Sequence, residues 1–248
     1  MTTSVGYPID TGWPTWTRFA LCEADFDRAI RRLEPQRPFD RWVTNLKHRV
    51  LSGTGFPPLD RAKRWDEANV VELLSYWDRN LSMLDCGAYN SPAPWAASRV
   101  GVRRVAGIDL NPRVPMSPRS AHVTYSCQNM MATAYHDHTF DLIVAGSVVE
   151  HGVDWNRWLA ECRRIVKPGG LVYVSTDLVA EHARTEGLTA FGLPWTPLRP
   201  SEIAPMADVF ALNGFFVEAV DPPKLPQTLP VEFLGVGIGF VAFAARAV

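Results

Sequence analysis

Residues 83–92 read Met83-Leu84-Asp85-Cys86-Gly87-Ala88-Tyr89-Asn90-Ser91-Pro92. An apolar run ends in an acid and a glycine, and a Ser-Pro pair follows. That order spells a strand, a tight turn and the start of a helix. Gly87 and Ala88 leave room for a ligand to approach the backbone. The amides of the following helix start favour an anionic group. Ser91 can cap that helix, and Pro92 suits its first position. A second stretch, Val105-Ala106-Gly107-Ile108-Asp109-Leu110, reads as the next strand and places Asp109 24 residues after Asp85. An acid there is positioned to accept hydrogen bonds from both ribose hydroxyls of an adenosine cofactor. Each signal alone is weak, because acids at strand ends commonly cap helices or turns. The ordered pair is much stronger.

Outward from this centre, short apolar runs alternate with helical segments. The strands expected are Ser82–Cys86, Arg104–Asp109, His122–Ser126, Asp141–Gly146, Leu171–Ser175, Phe215–Val220 and Val236–Ala245. Helices are expected near Pro92–Val100, Trp155–Val166 and Pro200–Leu212. Such βα alternation implies a mostly parallel sheet covered on both faces. Only the Pro-rich stretch Asp221–Pro230 separates the last two runs, so they read as an antiparallel pair at one edge. The segment from Trp155 carries one apolar stripe of Trp155, Trp158, Leu159, Cys162, Ile165 and Val166. Asp154 caps its start, and Lys167-Pro168-Gly169-Gly170 ends it.

The first 80 residues have another character. Phe26, Ile30 and Leu33 recur at helical spacing, as do Phe39, Trp42, Val43, Leu46 and Val50. Residues 51–58 hold two glycines and two prolines and read as a loop, and a third helix is expected over about 60–79. Five of the nine tryptophans, Trp13, Trp16, Trp42, Trp65 and Trp77, lie here. They pack helices onto a core, or some line a pocket for an apolar ligand. The division expected is 1–80 as an N-terminal helical cap and 81–248 as the cofactor-binding domain.

A formal net charge of -1 lacks the basic excess that nucleic-acid binding requires. The four cysteines are scattered without a CxxC pair, which argues against a zinc site or a disulfide framework. Unpaired thiols, with no basic and apolar leader in Met1–Val5, point to a reducing cytoplasm. No apolar run approaches the roughly 20 residues of a membrane span.

The turn after Asp85 decides between adenosine cofactors. A dinucleotide site wants G-x-G-x-x-G, and here Gly87 is followed by Ala88, Tyr89 and Asn90. An NAD-dependent oxidoreductase is thereby the poorer reading. The motif set resembles the class I S-adenosylmethionine-dependent methyltransferases. Leu84-Asp85-Cys86-Gly87-Ala88 looks like their first motif, and Gly107-Ile108-Asp109-Leu110-Asn111-Pro112 like their second-strand acidic motif. Phe140-Asp141-Leu142-Ile143-Val144 followed by Ser147-Val148-Val149-Glu150-His151 looks like their fourth strand and its turn. Arg163-Arg164-Ile165-Val166-Lys167-Pro168-Gly169-Gly170-Leu171 resembles their R-x-L-K-P-G-G-x-L segment. The likeness covers about Ser82 to Thr176.

The resemblance implies a Rossmann-like α/β fold whose seven-stranded, mostly parallel sheet has an antiparallel last strand. It implies that Asp85, Cys86, Gly87 and Ala88 face the methionine part of S-adenosyl-L-methionine. It implies that Asp109 holds the ribose, Leu110 packs on the adenine, Asn129 and Met130 meet the adenine amino group, and Gly146 and Ser147 floor the site near the sulfonium. Tyr89 stands where the family usually has glycine, and Asn129 where it usually has an acid. The activity implied is direct methyl displacement onto a small-molecule acceptor at O, N or C; S-adenosylmethionine binding in a non-methylating or regulatory role is the alternative. Glu150 and His151 are the catalytic candidates, with His151 taking the acceptor's proton; the structural alternative is a His151 packed against the Trp155 segment or hydrogen-bonded to Glu150. His136-x-His138 reads as a solvated loop, so no metal is expected. Asp177, the stretch Phe191–Pro200 with Trp195, and Tyr7, Trp13 and Trp16 are expected at the rim or lid.

Overall fold

The computed structural model describes residues 14–33, 61–77, 80–117 and 123–248. The expected helix through Phe39–Val50, the loop at 51–58, and Tyr7, Trp13 and Trp42 lie outside the described residues.

The elements are β1 (Trp16–Ala20), α1 (Glu23–Leu33), α2 (Arg61–Ser75), β2 (Ser82–Cys86), α3 (Ala93–Arg99), β3 (Arg104–Asp109), β4 (Val123–Cys127) and β5 (Phe140–Gly146). There follow α4 (Trp155–Ile165), β6 (Val166–Val179), β7 (Thr189–Ala190), β8 (Leu193–Pro194), α5 (Pro200–Leu212), β9 (Phe215–Phe216), β10 (Val231–Phe233) and β11 (Val236–Ala247). The main sheet runs β1-β11-β6-β5-β2-β3-β4, with β9 and β10 also paired to β11. Strands β2 to β6 pair in parallel, and β11 lies antiparallel to β6. This is the Rossmann-like α/β architecture with its antiparallel closing strand.

Strand alternation sorts the core onto two faces. Val241, Phe243 and Ala245 of β11 pack with Trp158 and Leu159 of α4 and Phe210 of α5. Phe240, Ala242 and Ala244 pack with Phe26 of α1, Trp65 of α2 and Ala97 of α3. Helices therefore cover both faces, and the central parallel strands β2, β5 and most of β6 are buried between them, while β4 at the edge is partly exposed.

The N-terminal portion departs from the helical cap expected. Residues 1–80 are not helical throughout: Trp16–Ala20 pairs antiparallel with Phe240–Ala244 as an edge strand. Trp16-Thr17-Arg18-Phe19-Ala20 shows no strict alternation over its five residues, so the pattern does not mark it as a strand. The described parts of 1–80 also share a core with the sheet, since Ala20, Phe26, Trp65 and Leu73 pack with Met83, Tyr173 and Phe240. Conversely, the expected strand Phe215–Val220 shrinks to Phe215–Phe216. β1 occupies most of the β11 edge that a longer strand would have used.

Candidate functional site

The carboxyl ends of β2, β3, β5 and β6 meet at one edge of the sheet, where parallel α/β proteins place ligands. Gly87 has φ +78, and a Cβ there would lie 2.6 Å from Val148 Cγ2. Glycine is required by both the backbone and the space. The turn is then laced to β3, because Gly87 N and Ala88 N each donate to Ile108 O at 2.9 Å. Tyr89 N donates to Asp109 Oδ2 at 3.0 Å, and Asn111 N to Oδ1 at 2.8 Å. Each Asp109 oxygen thus takes one amide and keeps lone pairs for a ligand.

Asp85 is fully buried, and neither carboxylate oxygen has a hydrogen-bond partner. Burial pushes its pKa up to about 8, with Ser91 and Lys63 opposing and Asp109 and Asp66 adding to the rise. A buried carboxylate without donors is costly unless a ligand supplies them. Cys86 alternates to the opposite face, where its thiol packs with Trp158, Leu159 and Cys162. Its contribution to a cofactor pocket is through its backbone. Met130 likewise buries its side chain in that cluster. Asn129 Oδ1 accepts from Met131 N at 2.9 Å, closing its own turn. Leu110 is exposed at the outer rim.

Gly146 ends β5 and Ser147 follows it, and they bring in residues that sequence reasoning missed. Ser147, at φ +49, donates to Asp66 Oδ2 at 3.1 Å. Asp66 Oδ1 accepts from Tyr173 at 2.8 Å and Ser175 at 2.5 Å. Lys63 donates to Gly146 O at 3.2 Å. Burial holds the Asp66 pKa up despite Lys63 and these hydroxyls. Lys63 is the cation felt by Asp66, Asp85, Glu150 and His151 alike. All of this comes from α2. The signal was present, since Asp66 and Asn69 share a helical stripe with Val70 and Leu73, and polar residues on a buried stripe need partners.

Glu150 and His151 lie just beyond β5. Glu150 is buried, and Thr176 donates to its Oε2 at 3.1 Å. Burial, and then the nearby Asp177 charge, push its pKa well above the ordinary carboxylate range. His151 Nε2 lies 3.8 Å from Glu150 Oε1, and its buried Nδ1 has no partner. Burial and the Lys63 charge lower the His151 pKa to about 4, so the ring is neutral. Asp177 lies within β6 and is buried, accepting from Trp195 Nε1 at 2.8 Å. The stretch after Thr189 is ordered as the β7–β8 hairpin. His138 Nδ1 sits 3.0 Å from Val166 O, and no cluster of three metal-ligating side chains occurs among the described residues. Among them, no helix is long and apolar enough to cross a membrane.

Residues 84–174 match the family model described as "Methyltransferase domain". Over 133 residues the chain is 32% identical to the ubiquinone biosynthesis O-methyltransferase of Rhizobium rhizogenes, covering 46% of this chain and 53% of that protein. The chain thus spans about half the length of the curated relatives it matches. Its fold is similar to that of the Burkholderia thailandensis 1,6-didemethyltoxoflavin-N1-methyltransferase, crystallised with 1,6-didemethyltoxoflavin and S-adenosylhomocysteine. That match has TM-score 0.53 and 18% identity, over 97% of this chain and 98% of the other. The [4+2]-cyclase SpnF is also similar, with TM-score 0.52 and 16% identity over 75% of this chain and 81% of that one. A shared fold therefore does not dictate the reaction.

Proposed function

We propose that this chain, whose residues 84–174 match a methyltransferase domain on a class I methyltransferase fold, transfers a methyl group from S-adenosyl-L-methionine to a small-molecule acceptor. One observation carries the reading: the fully buried, donorless Asp85 carboxylate beside the cramped Gly87 turn and Asp109. An aminoacyl ammonium answers Asp85, and ribose hydroxyls answer the remaining lone pairs of Asp109. The glycine-only approach at Gly87 lets a ligand lie on the backbone. Leu110 and Asn129 are the adenine-side residues, and Gly146 and Ser147 the floor.

When bound, S-adenosyl-L-methionine supplies a methyl group already activated on a sulfonium. The chain's own residues align the acceptor and keep water away. His151, neutral with a free Nδ1, is the group that takes the acceptor's proton. Glu150 accepts from Thr176 and so fixes the start of the segment that carries His151. Helix α2 delivers Lys63 and Asp66 to the site. The name of the Rhizobium relative supports oxygen as the acceptor atom. Four free thiols support a reducing, cytoplasmic setting.

Isothermal titration of S-adenosylmethionine into the wild-type chain and Asp109→Ala tests the reading. Binding should weaken at least tenfold in the variant. Equal binding by both proteins, or none by the wild type, would overturn it.

A further inference from the structure

The β7–β8 hairpin turns through Phe191 and Gly192, with φ +55 and +80. Two positive φ values in a two-residue loop belong to the type I′ turn, whose first position favours Asn, Asp or Gly. Phenylalanine there is strained, because its Cβ crowds the following carbonyl. Burial does not offset the strain, since Phe191 is 84% exposed. Nor does the hairpin need this ring for anchorage. Thr196 N donates to Glu150 O at 2.7 Å, Trp195 bridges to His151, and Pro194 lies against Gly152.

What the ring does touch is His151, edge to face, with centroids 5.1 Å apart at 89°. Trp195 pairs with His151 through the backbone, while its buried ring packs on Phe233 and its indole nitrogen donates to Asp177. Phe191 is thus the exposed aromatic ring against His151, whose buried Nδ1 has no partner. Strain that nothing structural explains, aimed at a candidate base, points to function.

We propose that Phe191 is a specificity-determining residue, forming one wall for a planar aromatic acceptor whose hydroxyl faces His151. This rests on the methyl-transfer reading and adds the acceptor class to it. A planar ring stacks on Phe191 and places one hydroxyl at the imidazole, whereas a puckered ring of the same size loses the stacking.

The test uses the full chain with S-adenosylhomocysteine, and compares naphthalene-2,3-diol with its saturated counterpart decalin-2,3-diol by calorimetry. Wild type should bind the planar diol at least tenfold more tightly. Phe191→Asn should lose about tenfold for the planar diol alone, and Phe191→Tyr should retain it. Ligand-free Phe191→Asn should unfold at the wild-type temperature or about 1–4 °C above it, because Asn relieves the strain. A planar preference absent from wild type, a preference unchanged in Phe191→Asn, or an earlier unfolding of that variant would overturn the proposal. Binding of S-adenosylhomocysteine is measured first: its failure removes the methyl-transfer reading itself, while normal binding with no planar preference removes only the role of Phe191.

Discussion

Ser147, on the turn after β5, donates its hydroxyl to Asp66 of α2 at 3.1 Å across 81 positions of sequence. That bond ties α2 to the turn after β5. Asp66 also collects Tyr173 and Ser175, so Asp66→Ala strands three hydroxyls in a buried place. The expected loss is about 2–4 kcal/mol in urea unfolding. Asp66→Asn, which keeps one acceptor, should lose less. A loss below 0.5 kcal/mol in the alanine variant would refute the network's role.

Gly87→Ala combines a left-handed backbone with a Cβ 2.6 Å from Val148 Cγ2. The backbone strain alone costs about 1–2 kcal/mol. Adding Val148→Ala removes the clash and not the strain. The double variant should therefore recover part of the loss in thermal unfolding, and an additive double variant would show that the two residues do not collide.

Asp85 gives a pH dependence of defined sign. Its folded pKa of about 8 lies above the ordinary 3.8 of an aspartate, so the ligand-free fold binds the extra proton between those limits. Its contribution is fully present below about 4 and is lost as pH rises through about 8. The slope is at most about 1.4 kcal/mol per pH unit. Asp85→Asn should flatten this slope in unfolding measured from pH 5 to 8. Wild type should also release protons on binding S-adenosylmethionine at pH 7, seen as a buffer-dependent calorimetric heat. A buffer-independent heat would contradict that.

His151 runs the other way. With its folded pKa lowered from 6.5 to about 4, it contributes stability above 6.5 that is lost as pH falls toward 4. The acidic limb of kcat/KM should accordingly fall near pH 4 rather than 6.5. His151→Gln should lower kcat by about 10²–10⁴-fold for a hydroxyl acceptor. A limb at pH 6.5, or an unchanged kcat, would remove His151 as the base.

Much of the site was legible before folding because it is local. Asp85, Gly87 and Asp109 lie at strand ends, and strand ends are marked by an apolar run, an acid and a glycine. Asp154 capping α4 was readable for the same reason, and its side chain accepts from Arg157 N at 3.1 Å. Residues whose role depends on a distant partner were not readable. Cys86 sits in the first motif, yet the pleat sends its thiol into the core. Trp16–Ala20 is too short to declare itself a strand without β11 beside it.

The sequence by itself determined the order of βα units, the turn at Gly87, the acid of β3 and the antiparallel closing strand. Periodicity and turn chemistry act over a few residues, and they survive in the one-dimensional text. Tertiary structure alone decided that α2 carries Lys63 and Asp66 against Gly146 and Ser147. It also stripped Asp85 of donors, made His151 neutral, and set Phe191 against that ring. Burial and electrostatic fields depend on what surrounds a group from every side, and neighbours so distant along the chain leave no local pattern to read.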